Sequence, residues 1–256
     1  MTITPETQTT FVETLKEVRE DFTRLMLSYQ FGLDEITTKI RILRDEFDKL
    51  HSYNPIEQIS TRLKSPESVV DKVSRKGLDP SLDSIRRITD IAGVRVTCSF
   101  TADTYRVFEA LTRQPDVTVL QVKDYIANPK PNGYRSLHAI VQVPVFLSSR
   151  TVNVPVEVQF RTVAMDFWAT LEHKIFYKYD GDVPAEVVQK LTESAATAAR
   201  MDREMEELHE TVHGPRDFAH VDRSIKGADI SDDVVQRLAQ FLAGPSLNPP
   251  DTEHLC

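Results

Sequence analysis

The stretch Thr151-Val-Asn-Val-Pro-Val-Glu-Val-Gln-Phe-Arg161 alternates between apolar and polar residues without a break. A period of two belongs to a β-strand, so Val152, Val154, Val156, Val158 and Phe160 share one face. Asn153, Pro155, Glu157, Gln159 and Arg161 share the other. A wholly apolar face must be packed, which leaves Glu157, Gln159 and Arg161 pointing together into solvent or a cleft. Leu137 to Phe146 reads as a second strand, and the short Ser-Ser-Arg turn between the two predicts an antiparallel pair. Just upstream, Lys130-Pro-Asn-Gly-Tyr-Arg-Ser-Leu-His138 forms a polar turn shaped by Pro129, Pro131 and Gly133. Its lysine, aromatic, arginine and histidine suit a phosphorylated base.

Outward from this centre the chain alternates helix and strand. Ile88 to Phe100 predicts a strand with Val94, Val96, Cys98 and Phe100 inward, so Arg95, Thr97 and Ser99 lie opposite, with Asp90 at the entrance. Thr101 to Gln114 predicts a helix and Val117 to Ile126 a strand. Ile59 to Ser65 reads as a short strand leading into a helix over about 66–76, with Ser65 as N-cap and Pro66 in the first turn. Phe11 to Leu50 carries apolar residues at helical spacing, interrupted at Gly32, and is read as two helices broken near Phe31-Gly32. Beyond Arg161 a helix runs to about Tyr179 and a long one from Ala185 to His213. The tail past Gly214 is polar, with one short helix at Asp232–Leu242 and the rest expected to be partly disordered, while the Thr-rich residues 1–9 are expected to fray. The fold class is therefore α+β: a mixed sheet of about five strands flanked by helices, with helical extensions at both ends. Residues 1–50 form the N-terminal extension, 51–180 the central domain, 181–213 a C-terminal helix and 214–256 the tail.

Composition narrows the function. The net charge of −8 argues against broad binding to a nucleic-acid backbone. No window is apolar enough to span a membrane, and the N-terminus lacks the features of a signal peptide. Two cysteines make neither a disulfide framework nor a metal spacing. The chain reads as cytoplasmic. Glycines number only eight, and there is no Walker A loop and no GxGxxG, so a P-loop or kinase-type nucleotide site is excluded.

The basic residues are nonetheless clustered. Arg62, Lys64, Lys72, Arg75 and Lys76 gather at a strand–helix junction, where a helix N-terminus beside several cations suits a polyphosphate. A solvated basic face is the simpler reading of that run alone. Asp90 and Glu157 sit on the polar sides of two strands, among cations that include Arg62, Lys64, Lys72, Arg95, Lys130, Arg135, His138 and Arg161. Paired carboxylates facing cations suggest a Mg²⁺–nucleotide site, while ordinary ion pairs with neighbouring arginines are the competing explanation.

Taken together, Arg62-Leu-Lys-Ser-Pro-Glu-Ser68, Asp90-Ile-Ala-Gly-Val-Arg95, Lys123-Asp-Tyr-Ile126, Lys130 to His138, Glu157-Val-Gln-Phe-Arg-Thr162 and Ala164-Met-Asp-Phe-Trp-Ala-Thr-Leu-Glu-His173 resemble the synthetase domain of the RelA/SpoT family. The likeness runs from about Leu50 to Tyr179, in the family's motif order, and the whole chain resembles a stand-alone small alarmone synthetase. This resemblance implies a nucleotidyltransferase-like domain that moves pyrophosphate from ATP to the 3′-hydroxyl of GDP or GTP, possibly GMP, yielding (p)ppGpp and AMP. It implies that Asp90 and Glu157 hold Mg²⁺, with Glu157 also assisting deprotonation of the ribose hydroxyl. Arg62 and Arg95 would sandwich adenine, and Lys64, Ser68 and Lys72 would grip the ATP phosphates. Tyr134 would stack on guanine, with Lys130, Asn132, Arg135, His138, Gln159 and Arg161 lining the acceptor site. Asp166 departs from the asparagine common in small members. A homotetramer built through the terminal helices is likewise implied. Two rival readings are a toxin-type synthetase that modifies the tRNA 3′ end and a catalytically silent nucleotide-binding homologue. The acidic helix bearing Asp202, Glu204, Glu206, Glu207 and Glu210 disfavours the first, and the intact Asp90 and Glu157 disfavour the second.

Overall fold

The alternation in Thr151–Thr162 becomes a strand at the middle of a five-stranded mixed sheet. The computed structural model describes residues 5–177, 184–214 and 231–243. In chain order these form α1 (Pro5–Leu50), β1 (Ile56–Leu63), α2 (Pro66–Arg75), α3 (Leu82–Arg86), β2 (Ala92–Cys98), α4 (Thr101–Thr112), β3 (Thr118–Asp124), β4 (Leu137–Phe146), β5 (Thr151–Thr162), α5 (Val163–Tyr177), α6 (Ala185–His213) and α7 (Asp232–Ala243). The strand order is β1-β2-β5-β4-β3, with β2 and β5 parallel and every other pair antiparallel.

One face of the sheet is the core. Val154, Val156, Val158 and Phe160 are buried there beside Val94, Val96 and Cys98 of β2 and Ala139, Val141 and Val143 of β4. Helices α1 and α4 cover this face, α1 contributing Tyr29, Leu33, Ile36, Ile40 and Phe47. The spacing of those five keeps them on one stripe of the helix, and their burial is what secures it to the sheet.

The expected break in the first helix is absent, because α1 runs unbroken for 46 residues through Gly32. A Cβ at Gly32 would lie 2.5 Å from Cγ1 of Val154. Gly32 therefore marks the point where the helix backbone presses onto β5, not a helix end. Two smaller differences lie around β2, which begins at Ala92 and not at Ile88. Ile88 and Ile91 are fully buried, yet they sit in the connection from α3. Helix α3 itself has no counterpart in the sequence reading, although Ser81 caps it by accepting from the Ser84 amide at 3.2 Å.

The other elements follow the reading closely. Ser65 caps α2 through the Ser68 amide at 3.3 Å, with Pro66 in the first turn. β4 and β5 pair from Leu137–Phe160 to Phe146–Thr151. Helix α5 packs on α6 through Trp168, Ala169, Leu191 and Ala195, and the Trp168 indole donates to the Leu191 carbonyl at 3.1 Å and the Ser194 hydroxyl at 3.0 Å. The tail expected to be disordered lies outside the described residues apart from α7. Among the described residues, no helix is long and apolar enough to cross a membrane.

Candidate active site

Strand register lays two polar rows across the uncovered face of the sheet. Arg62 of β1 pairs with Gly93 of β2, which pairs with Glu157 of β5. Gly93 carries no side chain, so nothing rises between Arg62 and Glu157. One step along, Ser60, Arg95, Gln159 and His138 stand side by side on four successive strands. Apart from His138, these rows floor a cleft of about 560 Å³, walled on one side by Lys64 and Asp90 and on another by the α5 residues Thr170 and His173. Its size falls among ordinary small-molecule sites. Gln159 and Arg161 also line it, as the alternation of β5 requires.

Asp90 forms one side of the cleft. Lys64 Nζ donates to its Oδ2 at 3.0 Å and to its backbone carbonyl at 2.8 Å, and Lys72, from α2, also reaches Oδ2. Burial opposes ionisation of Asp90, but the two lysines outweigh it and hold the carboxyl below its ordinary value. Both lysine contacts fall on Oδ2, leaving Oδ1 open among the described residues.

Glu157 faces Asp90 across the floor. Burial again raises its pKa, and hydrogen bonds from His138 and Gln159 more than reverse this, while the negative charge of Asp90 acts the other way. Gln159 Nε2 donates to Glu157 Oε2 at 2.8 Å, and His138 Nδ1 stands 3.5 Å from Oε1. The other imidazole nitrogen, Nε2, is 2.7 Å from the Tyr134 hydroxyl, which in turn accepts from Arg161 Nη2 at 2.7 Å. Arg161 also donates to Gln159 Oε1 at 2.9 Å. The Tyr134 phenol is held high, chiefly by burial, and stays protonated.

Arg161 is buried to 8% exposure, and no acceptor meets its Nε among the described residues. An unsatisfied buried donor costs about 1–3 kcal/mol, so this guanidinium is not in its best-solvated arrangement. Its Nη1 donates at 3.0 Å to Asp166 Oδ1, and Arg95 Nη1 donates to the same oxygen at 2.8 Å.

The turn before β4 brings the Tyr134 hydroxyl to His138 and Arg161. Gly133 adopts φ 87°, and a Cβ there would lie 2.5 Å from the Cβ of Ala195 on α6. Only glycine allows this turn to lie so close to the helix. Lys130 Nζ sits 4.7 Å from the Tyr125 ring centre and 4.6 Å from that of Tyr134, a cation–π clamp over the loop. Asn132 is turned to α5, donating to Glu172 at 3.2 Å, and its carbonyl oxygen accepts from the Tyr134 amide.

Of the residues singled out in the sequence, the structure brings together Arg62, Lys64, Asp90, Arg95, Glu157, Gln159 and Arg161 around the cleft. Lys72 joins through Asp90, and Tyr134 and His138 through Glu157 and Arg161. Ser68 stays at the start of α2, its amide on the Ser65 cap. Arg135 is not brought there. It lines a small gap between the loop, α5 and α6 with Trp168 and Asp202, and donates to the Ile126 carbonyl at 2.9 Å. Neighbours Tyr134 and Arg135 thus project to different sides of the loop, which no periodicity outside a strand reveals. His173, which the sequence marks only as the end of the Ala164–His173 motif, lines the cleft. The bridging place of Asp166 was not legible either.

Mg²⁺ takes hard oxygen ligands and is commonly held by one or two carboxylates plus substrate phosphates and water. The donor set fits: two ionised carboxylates within each other's electrostatic reach, one with an open oxygen. Among the described residues, no group of three or more His, Cys, Asp or Glu side chains forms a metal cage. Two carboxylates leave the remaining positions of such a cation to phosphate and water oxygens.

A mixed sheet presenting paired carboxylates to a cation-walled cleft defines a phosphate-transferring enzyme of nucleotides. The chain belongs to the RelA/SpoT family. The family description, a region found in RelA and SpoT proteins, matches residues 61–182. GTP pyrophosphokinase YwaC of Bacillus subtilis is 47% identical over 197 residues, 77% of this chain and 94% of that protein. The crystal structure of small alarmone synthetase 2 from Bacillus subtilis superposes with a TM-score of 0.69 at 45% identity, covering 75% of this chain and 99% of that one. Small alarmone synthetase 1 from the same organism, bound to its product pppGpp, superposes with a TM-score of 0.70 at 36% identity, covering 76% and 99%. Family and fold are those the sequence motifs implied.

Proposed function

We propose that this protein is a (p)ppGpp synthetase, which transfers the β,γ-pyrophosphoryl group of ATP to the 3′-hydroxyl of GDP or GTP and releases AMP. The observation that carries this reading is the placement of Glu157, ionised and oriented by His138 and Gln159, across the cleft floor from the Lys64–Asp90–Lys72 cluster. In this reading Glu157 accepts the hydrogen of the ribose 3′-OH, whose oxygen attacks the β-phosphorus as the bond to the α-phosphate oxygen breaks. Lys64 and Lys72, with Ser68 nearby, hold the donor phosphates and neutralise charge that develops on them. Arg62 and Arg95 offer planar guanidiniums to adenine, and Tyr134 an aromatic face to guanine, with Lys130 and His138 beside it. Asp90 and Glu157 would hold Mg²⁺, which supplies further charge neutralisation on the phosphate oxygens. Asn132 and Arg135 take positioning roles in the loop, in keeping with their partners Glu172 and Ile126.

The two rival readings are not favoured. A tRNA-directed enzyme would want a basic landing surface, and the chain carries −8 with an acidic α6. A silent homologue would have no use for two carboxylates kept ionised against burial. The enzyme acts in the cytoplasm, where its substrates are, and as a homotetramer. Support for self-association comes from the stripe Met201, Met205, Leu208 and Val212 on α6, all exposed in the single chain.

The test mixes purified protein, Mg²⁺ and β- or γ-labelled ATP with GMP, GDP or GTP in turn. A labelled guanosine product appearing with AMP is the expected result and ranks the acceptors. No product with any of the three overturns the reading.

A further inference from the structure

The guanidinium of Arg95 is pinned at two of its nitrogens. Nε donates to the Ser60 hydroxyl on β1 at 3.2 Å, and Nη1 donates at 2.8 Å to Oδ1 of Asp166, in the first turn of α5. The N–H bonds of a guanidinium lie in its own plane, so the two anchors fix that plane and use neither of its faces. Arg95 lines the cleft with 38% of its side chain exposed, which leaves the flat cation available to a ligand there. A cationic plane held by its edges suits the flat π-system of a nucleotide base.

Asp166 is the stronger anchor of the two, because it brings charge as well as an acceptor. The same oxygen also accepts from Arg161 Nη1 at 3.0 Å, but the two arginines depend on it unequally. Arg161 has 9% of its side chain exposed and keeps the Tyr134 hydroxyl and Gln159 Oε1 as acceptors for Nη2. For Arg95, the neutral Ser60 hydroxyl is the other acceptor among the described residues. The two cations are also neighbours on one face of the sheet, since Arg95 of β2 pairs with Gln159 of β5, two residues before Arg161. Without a carboxylate between them like charges repel, and Arg95, the less firmly held, turns away.

We propose that Asp166 is a positioning residue for Arg95. It sets the guanidinium plane on which the base of the donor nucleotide stacks, and it touches no substrate itself. Its bond to Arg95 lies in that plane, so it persists when a base lies against the face. The effect of Asp166 falls on affinity for the donor and spares the acceptor, because Arg161 keeps its other acceptors. This rests on the synthetase reading, which makes Arg95 a donor-side residue.

Calorimetric titration of the full chain with α,β-methylene ATP in Mg²⁺ buffer tests this through a double-mutant cycle. Arg95→Ala weakens binding by about fivefold or more, and Asp166→Ala by a comparable factor. The double variant binds within about twofold of Arg95→Ala alone, because Asp166 acts through that side chain. Asp166→Asn, which drops the charge and keeps an in-plane acceptor, stays within about threefold of the parent. Affinity of Asp166→Ala for GDP changes by less than about twofold. Should that variant fail to fold, Ser60→Ala removes the other anchor and gives a smaller loss that also vanishes in the Arg95→Ala background. A purely structural role would weaken GDP as much as the ATP analogue and would persist without Arg95. Either of those results, an asparagine variant as weak as the alanine one, or unchanged binding in Arg95→Ala or Asp166→Ala overturns the proposal and leaves the synthetase reading standing. A parent protein that binds neither nucleotide overturns that reading, and the proposal with it.

Discussion

Glu157 owes its chemistry to neighbours on its own sheet. Burial raises a carboxyl's pKa, and here hydrogen bonds from the imidazole of His138 and the amide of Gln159 more than reverse that and hold Glu157 below its ordinary value. Replacing it with glutamine keeps the shape and removes the group proposed to accept the ribose proton. Turnover by Glu157→Gln should fall by about 10²-fold or more, in the range expected for loss of a general base, with folding retained. Steady-state kinetics beside a thermal melt checks this, and near-normal turnover would remove Glu157 from the chemistry. Lys72 makes a second case. Its contact with Asp90 ties helix α2 to the cleft, so Lys72→Met should raise the KM for ATP several-fold with a smaller effect on the KM for the guanine nucleotide. Equal effects on both would place Lys72 outside the donor side.

At the scale of elements, packing on a neighbour decided what local pattern left open. The β4–β5 hairpin, α4 and α6 were legible because their periodicity extends over several residues, and the polar face of β5 carried Glu157, Gln159 and Arg161 with it. Gly32 misled because a glycine inside a helical stripe reads as a stop, whereas its cause lies 122 positions away, at Val154. Residues in the Lys130–Ser136 loop have no period, so nothing local separates Tyr134, whose hydroxyl meets His138 and Arg161, from Arg135, which lines the gap beside α6. Asp166 depends on three elements meeting, β2, β5 and α5, and no spacing records that. Alanine at Gly32 should therefore destabilise the protein by about 1–3 kcal/mol, the usual range for overpacking, since Val154 and the helix cannot both keep their places. Denaturant unfolding measures this. A change below about 0.5 kcal/mol would mean that α1 can lift from the sheet without loss.

For the molecule as a whole, the carboxylates of the cleft link stability to acidity. Asp90 and Glu157 titrate lower in the folded chain than their ordinary values of 3.8 and 4.5. Folding thus favours their ionised forms. That contribution is complete above the ordinary values and is lost as the pH falls through the depressed ones. Lys64→Met with Lys72→Met removes the cations that lower Asp90, so the double variant should lose less stability than the parent between about pH 5 and about pH 3. Melting temperatures across that range provide the comparison, and parallel curves would contradict it. Assembly is a second property at this scale. Charged substitutions at Met205 and Leu208, in the exposed stripe of α6, should lower the mass seen by light scattering from a multimer to a smaller species. A parent protein that is already monomeric would refute the assembly proposal.

The chain has one tryptophan, Trp168, set in the joint between α5 and α6 with Tyr134 packed against the same cluster. Its indole N–H is held by α6, and its ring neighbours Gly133 and Tyr134 of the loop that carries Lys130. Excited at the red edge of the aromatic band, the protein therefore emits from this one place. The molecule carries a built-in optical probe of the Lys130–Ser136 loop: any ligand that moves Tyr134 alters the ring environment of Trp168 and so its emission, with no dye attached.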